Sequence, residues 1–159
     1  MKYNFTKMHG CGNDYVYFNC FEKDIPSPEK ISVRLSDRHF GIGGDGIILI
    51  CPSDVADAKM RMFNADGSEG KMCGNGIRCV GKFLYDNNML KDTGSNQITI
   101  ETLSGIKTLK VSPEDNVAKL LQVDMGSPVL NSQLIPVNLD KEKIINYPLL
   151  ISDKEYFVT

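Results

Sequence analysis

The sequence has no tryptophan, only two histidines and no apolar run near the roughly 20 residues that cross a membrane. It also lacks an excess of charge of either sign, because 18 lysines and arginines offset 20 aspartates and glutamates for a net charge of −2. Such a balance gives no basic face for nucleic acid or for an anionic membrane. The N-terminus has no apolar signal segment. We therefore expect a cytoplasmic protein that binds neither nucleic acid nor membrane.

Cysteine is present but lacks the patterns of disulfide scaffolds and zinc sites. The five cysteines are odd in number, widely spaced and without a C-x-x-C pair: Cys11, Cys20, Cys51, Cys73 and Cys79. These features argue against a disulfide framework and fit a reducing compartment. The only histidines are His9 and His39, so no metal-ligand spacing is visible and no metal site is predicted. Cys20, Cys51 and Cys79 are expected to pack in the core.

The pattern of apolar residues predicts an α+β protein rich in strands. A first helix is expected after Ser27, which has the character of an N-cap, with Pro28 at the first helical position. A second helix is expected from Gly74 to about Asn87, and its apolar face combines Ile77, Val80, Phe83 and Leu84. Strands are predicted for nine stretches: residues 2–8, 14–20, 47–50, 58–63, 96–103, 106–111, 117–125, 144–151 and 155–158.

The stretch GIGGDG at 41–46 matches G-x-G-x-x-G, the fingerprint of dinucleotide-binding loops. That fingerprint follows a strand and opens a helix, whereas here a predicted helix precedes the loop and a strand follows it. We therefore reject a dinucleotide site and interpret the segment as a glycine loop with unusual backbone angles. A binding role through its backbone amides remains open from the sequence.

Cys73 stands at a junction between a polar, turn-rich stretch and the predicted second helix. The first N–H groups of a helix are unpaired and its dipole is positive at this end, which favours a thiolate and can bind a carboxylate. Gly74 and Asn75 stand in the first turn, and glycines let a ligand approach the backbone closely. One turn thus offers both a reactive thiol and an anchor for an anion. The alternative is a small buried apolar residue, but the polar sequence around Cys73 favours function.

Two asparagines in turns have structural alternatives. Asn64 begins the turn after a strand, where an Asx-turn alone would explain it, and Asn13 lies at the exit of a tight turn between two strands. His9 begins that same turn and is as consistent with a structural role as with a functional one. The residue types alone assign none of these three side chains to a site.

Four motifs resemble those of the diaminopimelate epimerase family. The segment NADGS at 64–68, four residues, and then CGNGIR at 73–78 are similar to the family's active-cysteine signature. The opening KMHGCGNDY at 7–15 is similar to the family's K-M-H-G-x-G-N-D-[FY]. The segments DRHFGIGGDGIILI at 37–50 and VDMGSP at 123–128 resemble its second glycine loop and a later strand and turn. The matches run in the family's order along the chain.

The resemblance implies both a fold and an activity. Proteins of the family have two similar α/β domains, each a sheet wrapped around a central helix, with the substrate in the cleft between them. They interconvert LL- and meso-diaminopimelate in lysine and peptidoglycan precursor synthesis, without pyridoxal phosphate or metal, through two cysteines on opposite sides of the α-carbon. Asn75 favours this branch over proline racemase-like enzymes, which have a histidine there. We therefore expect a diaminopimelate-epimerase-like domain, with a mixed or antiparallel sheet around a central helix and no cofactor.

The resemblance also implies roles for individual residues. Cys73 would be one of the two acid/base cysteines. Gly74 and Asn75 would hold the α-carboxylate at the start of the helix. Asn13 and Asn64 would contact the substrate, a small molecule expected to be diaminopimelate, through their side-chain amides.

The second half of the family pattern is missing from this chain. A G-N-P-H element, an E-R pair and a second cysteine in C-G-[TS]-G do not occur. Residues 1–159 therefore resemble an N-terminal half, with a boundary near residue 117 and residues 118–159 as the opening strands of an incomplete second domain. We expect the chain alone to be inactive and a C-terminal half to be its partner, with a homodimer as a further assembly. Gly46 stands where some members have a glutamine, so any contact there would come from the backbone.

Two other functions stay open. A non-catalytic half-protein or binding module would dock with a separate second half without turnover. A thiol redox or cysteine-nucleophile protein would use Cys73 alone, but the chain has no C-x-x-C and both histidines precede Cys73. Catalysed disulfide exchange would distinguish this last function from an epimerase.

Overall fold

The structure, a computed structural model, describes residues 2–91, 96–139 and 141–159. Its contacts divide the chain into two units, of which the first ends at Met125 and the second begins at Gly126. The helices of the described residues are α1 (Pro28–Ser36), α2 (Gly74–Asp86) and a short 3₁₀ turn (Ser132–Leu134). The strands are β1 (Thr6–Gly10), β2 (Asn13–Asn19), β3 (Gly46–Cys51), β4 (Ala58–Asn64), β5 (Glu69–Gly70), β6 (Gln97–Thr102), β7 (Gly105–Glu114), β8 (Val117–Val123), β9 (Tyr147–Ile151) and β10 (Lys154–Val158).

The first unit is a mixed sheet that curls around α2. Its strands follow the order β1-β2-β3-β4-β6-β7-β8, with β5 paired to β4, and the β2–β3 and β4–β6 pairs are parallel. Helix α2 contacts both β1 and β8, which stand at opposite ends of this order. In a flat sheet those strands would lie roughly 29 Å apart, too far for one helix to reach both. The prediction of an α+β fold with a mixed sheet wrapped around a central helix is confirmed.

Alternation along the strands places one core on each face of the sheet. Tyr15 and Tyr17 of β2 pack with α2, whose Ile77, Val80 and Leu84 are fully buried. Val16 and Phe18, which alternate with the tyrosines along β2, face the other way. They belong to a second cluster, under α1, that also contains Ile47, Leu49 and Phe63. The predicted apolar face of α2 is therefore the face that the sheet surrounds.

Most predicted elements are present, and the differences are local. All nine predicted strand stretches contain a strand, but the first begins at Thr6, and the two-residue β5 was not predicted. Ser27 lies at the N-cap position of α1, yet its backbone is left-handed (φ 47°, ψ 56°) and its side chain makes no capping hydrogen bond. Ser27 thus lies at the predicted N-cap position, but the prediction that its side chain caps the helix is wrong. Pro28 is the first helical residue, as predicted.

The second unit contains the 3₁₀ turn and an antiparallel hairpin of β9 and β10. The Asn131 side chain accepts a hydrogen bond from the Gln133 N–H at 2.9 Å and so caps the 3₁₀ turn. The domain boundary near residue 117 stays a prediction. The contacts place β8, which pairs with β7, in the first unit. Among the residues that the structure describes, no helix has the length and apolar character needed to cross a membrane.

Candidate functional site

Three strands bring distant sequence motifs to one end of the sheet. Strand β2 begins at Asn13, β3 begins at Gly46 and β4 ends at Asn64. Tyr15 pairs with Gly46 in the parallel β2–β3 ladder, and Gly46 pairs with Asn64 in the antiparallel β3–β4 ladder. The motif residues Asn13 and Asn64 therefore lie on either side of the start of β3. We call this end of the sheet the site end.

The start of α2 lies at the same site end. A Cβ atom placed on Gly10, the last residue of β1, would lie 3.0 Å from the backbone oxygen of Asn75 and 3.1 Å from its Cβ. A Cβ atom on Gly76 would lie 2.6 Å from the Cδ1 of Ile48, in β3. These two glycines let the first turn of the helix sit directly against the strands. Cys73, Gly74 and Asn75 are thus brought close to the strand ends.

Cys73 is the N-cap residue of α2. Its backbone is extended (φ −136°, ψ 115°), and its Sγ accepts a hydrogen bond from the Gly76 N–H at 3.3 Å. The thiol therefore takes the place of the hydroxyl or carboxylate that usually satisfies a first-turn amide. Cys73 is half-buried and packs against the core around α2. The predicted position before a helix N-terminus is confirmed.

Asn75 is held by an arginine one turn further along the helix. Arg78 donates through Nη2 to the Asn75 Oδ1 at 2.6 Å, and the same nitrogen lies 3.7 Å from the Cys11 Sγ. A guanidinium has no acceptor, so the atom that faces it is the amide oxygen of Asn75. The Asn75 side chain therefore has a fixed orientation in the first turn of α2.

Asn13 has a buried carbonyl oxygen, Oδ1, for which the described residues provide no hydrogen-bond donor. A buried acceptor without a partner costs about 1–3 kcal/mol, so such an atom calls for a donor from a ligand or a water molecule. The Asn13 side chain also forms a hydrogen bond with the Tyr15 hydroxyl. Asn13 therefore has an unused buried acceptor at the site end.

Tyr15 is a site residue that the sequence analysis did not assign. It is 4% exposed, and burial together with the neighbouring Cys73 raises the pKa of Tyr15 to about 12. The phenol thus stays protonated at neutral pH, between the Asn13 amide and the Cys73 thiol. The only signal in the sequence was the aromatic position that ends the motif at 7–15.

Asn64 is held by the loop that follows it. Its Nδ2 donates to the Ser68 Oγ at 2.9 Å, and that hydroxyl donates to the Asp66 Oδ1 at 2.6 Å. The Asx-turn of this loop is formed by Asp66, whose Oδ1 accepts from the Ser68 N–H at 2.9 Å. The alternative that Asn64 is explained by an Asx-turn is therefore wrong. The hydrogen bond to Ser68 therefore fixes the orientation of the Asn64 side chain.

The glycine loop at 41–46 does not form an anion-binding nest. The backbone N–H groups of its residues 41–45 all donate to protein carbonyls, which belong to Asp37, Leu35 (twice), Ser36 and Asp14 at 2.7–3.1 Å. The first four of these bonds satisfy the free carbonyls at the C-terminal end of α1. The role through backbone amides that the sequence left open is therefore excluded for these five residues. The order helix, loop, strand confirms the rejection of a dinucleotide fingerprint.

A network of charges ties the β1–β2 hairpin to this loop. Asp14, next to Asn13, forms ion pairs with Lys7 at 2.8 Å and with Arg38 at 2.7 Å. Arg38 also pairs with Asp45 at 3.0 Å, and the Asp45 Oδ2 accepts from the Asp14 N–H at 3.1 Å. Hydrogen bonds from Arg38 and Lys7 hold the pKa of Asp14 well below its usual range. The network fixes the backbone on which Asn13 stands.

The low pKa of Asp14 predicts a specific loss of stability in acid. A carboxylate whose pKa is lowered by folding adds stability above its unfolded pKa of about 3.8, and that stability disappears as the pH falls toward the folded pKa. We expect Asp14→Asn to cost roughly 1 kcal/mol at neutral pH and clearly less at about pH 2. Urea unfolding between those limits measures the effect. The exposed Asp54→Asn is the control, and equal pH profiles for the two variants and the parent would contradict the role of Asp14.

Comparison with solved structures identifies the class of fold. A methylitaconate-delta-isomerase matches with a TM-score of 0.60 and 20% identity, over 75% of this chain and 63% of that one. A probable proline racemase from Agrobacterium radiobacter matches with a TM-score of 0.61 and 14% identity, over 77% of this chain and 41% of that one. At these identities the likeness concerns the fold alone: the chain has the curled α+β domain found in these proteins.

Sequence comparison identifies the family. The profile of the diaminopimelate epimerase family matches residues 5–131. Proteins described as diaminopimelate epimerase are similar along nearly the whole chain: the one from Acetivibrio thermocellus is 56% identical over 98% of this chain and 54% of its own length. The one from Methanococcus maripaludis is 54% identical over 98% and 55%. The chain belongs to the diaminopimelate epimerase family, and it spans about half the length of the curated relatives it matches.

Proposed function

We propose that this chain is the N-terminal half of a diaminopimelate epimerase that works without pyridoxal phosphate or metal. The observation that supports the proposal most strongly is the meeting of Cys73, Gly74 and Asn75 with Asn13 and Asn64 at the site end. These five residues come from two separate motifs of the sequence, yet the fold brings them to one end of the sheet. The five free cysteines fit a reducing compartment, and we assign the protein to the cytoplasm.

In the proposed reaction, the Cys73 sulfur exchanges a proton with the α-carbon of diaminopimelate. One cysteine, as thiolate, takes the α-proton and becomes a thiol. The second cysteine, in the other half of the protein, gives its proton to the opposite face of the carbanion and becomes a thiolate. The atoms balance, and the configuration at the α-carbon is inverted without the substrate turning over. Whether Cys73 acts as base or as acid depends on which stereoisomer is bound.

The start of α2 supplies the electrostatic help that such a weakly acidic proton requires. Amide N–H groups at a helix start bind an anion, and we place the α-carboxylate of the substrate against Gly74 and Asn75. Negative charge that develops on the α-carbon is then stabilised by the same dipole. The side-chain amides of Asn13 and Asn64 provide further polar contacts. The buried Oδ1 of Asn13 is suited to accept from the α-ammonium group.

A single half has no turnover in this proposal, because Cys73 reaches only one face of the α-carbon. Half a cleft also leaves the carbanion open to water, which weakens every electrostatic interaction at the site. The partner is therefore a C-terminal half with the second cysteine. We place the opening of that half within residues 118–159, where β9 and β10 pair with each other.

The test is to join this chain in one polypeptide to the C-terminal part of the Acetivibrio thermocellus relative that it does not match. We call this the reassembled protein. It is expected to convert LL- into meso-diaminopimelate, whereas the 159-residue chain alone is expected to show no conversion. Turnover by the chain alone would contradict the two-half mechanism. A folded reassembled protein that binds diaminopimelate without conversion would favour the non-catalytic binding module instead.

A further inference from the structure

Cys20 and Cys51 are brought together at the end of the sheet opposite the site end. In the parallel β2–β3 ladder Asn19 pairs with Ile50, and the Cys20 N–H donates to the Ile50 oxygen at 2.8 Å. Cys20, directly after the end of β2, therefore lies beside Cys51, the last residue of β3. Neighbours in register on parallel strands point to the same face, so the two thiols lie side by side. They stand about 20 Å from the site end along the strands.

Asp24 completes a group of three possible metal ligands. The Sγ of Cys20, the Sγ of Cys51 and a carboxylate oxygen of Asp24 all lie within 4.8 Å of one another. Some point therefore lies within about 2.8 Å of all three atoms, compared with about 2.3 Å for a zinc–sulfur bond and about 2.1 Å for a zinc–oxygen bond. Small side-chain rotations close that difference.

The surroundings suit a soft cation that enters from solvent. Cys20 is 3% exposed and Cys51 is half-buried, whereas Asp24 is exposed, so the group extends from the core to the surface. The guanidinium of Arg61 acts electrostatically on both thiols and is itself influenced by Asp24. Two thiolates and one carboxylate outweigh a divalent cation by one negative charge. Arg61 offsets that excess only in part, because its guanidinium is also paired with Glu69 at 2.7 Å.

We propose that Cys20, Cys51 and Asp24 form a binding site for a thiophilic divalent cation, with Zn²⁺ as the natural type. Binding releases the two thiol protons to solvent, including the one that Cys20 directs at the Phe18 oxygen at 3.7 Å. The fourth coordination position is left for water. The site is independent of the proposed epimerase function, because it shares no residue with the site end.

Spacing in the sequence gave no sign of this group, for a physical reason. Zinc motifs are found by pairs of ligands a few residues apart, whereas Cys20 and Cys51 are joined by a crossover that contains α1. Only the parallel pairing of β2 and β3 makes them neighbours. The prediction of no metal site was therefore based on a pattern that cannot detect this arrangement.

Titration of the 159-residue chain with CdCl₂ tests the proposal, with a phosphine reductant to keep the thiols reduced. We expect one equivalent of Cd²⁺ to bind, with the ultraviolet charge-transfer band of cadmium–thiolate bonds, and ZnCl₂ to displace it. Cys20→Ala and Cys51→Ala are each expected to abolish the band. Asp24→Asn, at an exposed position, is expected to weaken binding by about 10-fold or more.

Cys11→Ser and Cys73→Ser are the matched controls, since they remove thiols outside the group. Binding that survives Cys20→Ala or Cys51→Ala, or that disappears with Cys73→Ser, would overturn the proposal. So would a parent chain that shows no cadmium–thiolate band while its circular dichroism indicates a folded protein. If the buried Cys20→Ala unfolds the chain, Cys51→Ala and Asp24→Asn decide the question with folding checked in the same way.

Discussion

Replacing Cys73 with alanine in the reassembled protein is expected to lower kcat/KM for epimerisation by on the order of 10³-fold or more. General acid–base catalysis by one positioned group contributes about 10²- to 10⁴-fold, and here the group also supplies one of only two proton paths. Alanine has no acid or base and cannot exchange the α-proton on that face. Conversion of LL- into meso-diaminopimelate, followed with time, measures the loss.

Two companion variants separate chemistry from folding. Cys73→Ser keeps an acceptor for the Gly76 N–H, so α2 retains its cap, but a hydroxyl is a far weaker acid than a thiol. We expect it to fold like the parent and to be nearly as inactive as Cys73→Ala. Cys11→Ser, at an exposed thiol near Arg78, is expected to keep most of the activity. Substantial activity in both Cys73 variants would remove that residue from the mechanism.

Gly46→Ala is expected to destabilise the chain by about 3 kcal/mol. A Cβ atom at this position would lie 2.1 Å from the Phe63 backbone oxygen and 2.8 Å from the Tyr15 Cε1. The oxygen belongs to β4, the partner of β3 in the middle of the sheet, and cannot move without disrupting the ladder. Equilibrium unfolding in urea measures the loss. A chain that expresses but does not fold would agree with the same cause.

Gly74→Ala provides the matched control for that substitution. A Cβ atom on Gly74 would meet nothing closer than Met125 at 3.8 Å, and alanine favours a helix more than glycine does. We expect its stability to equal that of the parent or to exceed it by up to about 1 kcal/mol. If both glycine variants lost the same stability, close packing at Gly46 would not be the cause.

The elements of the first unit follow from local patterns, and for that reason they were predictable. Residues 47–50 are all apolar, which predicts a buried strand. Helix α2 is predicted because Ile77, Val80 and Leu84 share one face of it. The position of Cys73 before the helix followed from the glycines after it. Each of these inferences depends on residues that are close in sequence.

The features that sequence patterns did not reveal depend on which partners each group finds in the folded chain. The glycine loop at 41–46 has suitable residues for an anion site, but its amides are used by the end of α1, which only the fold shows. Tyr15 lies beside Cys73 because α2 packs inside the curled sheet. Ser68, rather than a turn of its own, orients Asn64. Of these contacts, only the one between Tyr15 and Cys73 joins distant segments. The partners of the loop at the end of α1 and the partner of Asn64 are near in sequence, but residue type alone does not identify them.

Isotope exchange in the reassembled protein tests the central claim most directly, namely that Cys73 is one of two acid/base groups on opposite faces of the α-carbon. The reaction is run from LL-diaminopimelate in D₂O and stopped early. Because the thiol that receives the substrate proton is not the one that donates to the product, the meso product is expected to carry deuterium at the inverted carbon while the remaining LL substrate stays unlabelled. With Cys73→Ala, no labelled meso product is expected. Meso product that keeps the original proton, or labelled product formed without Cys73, would contradict the account.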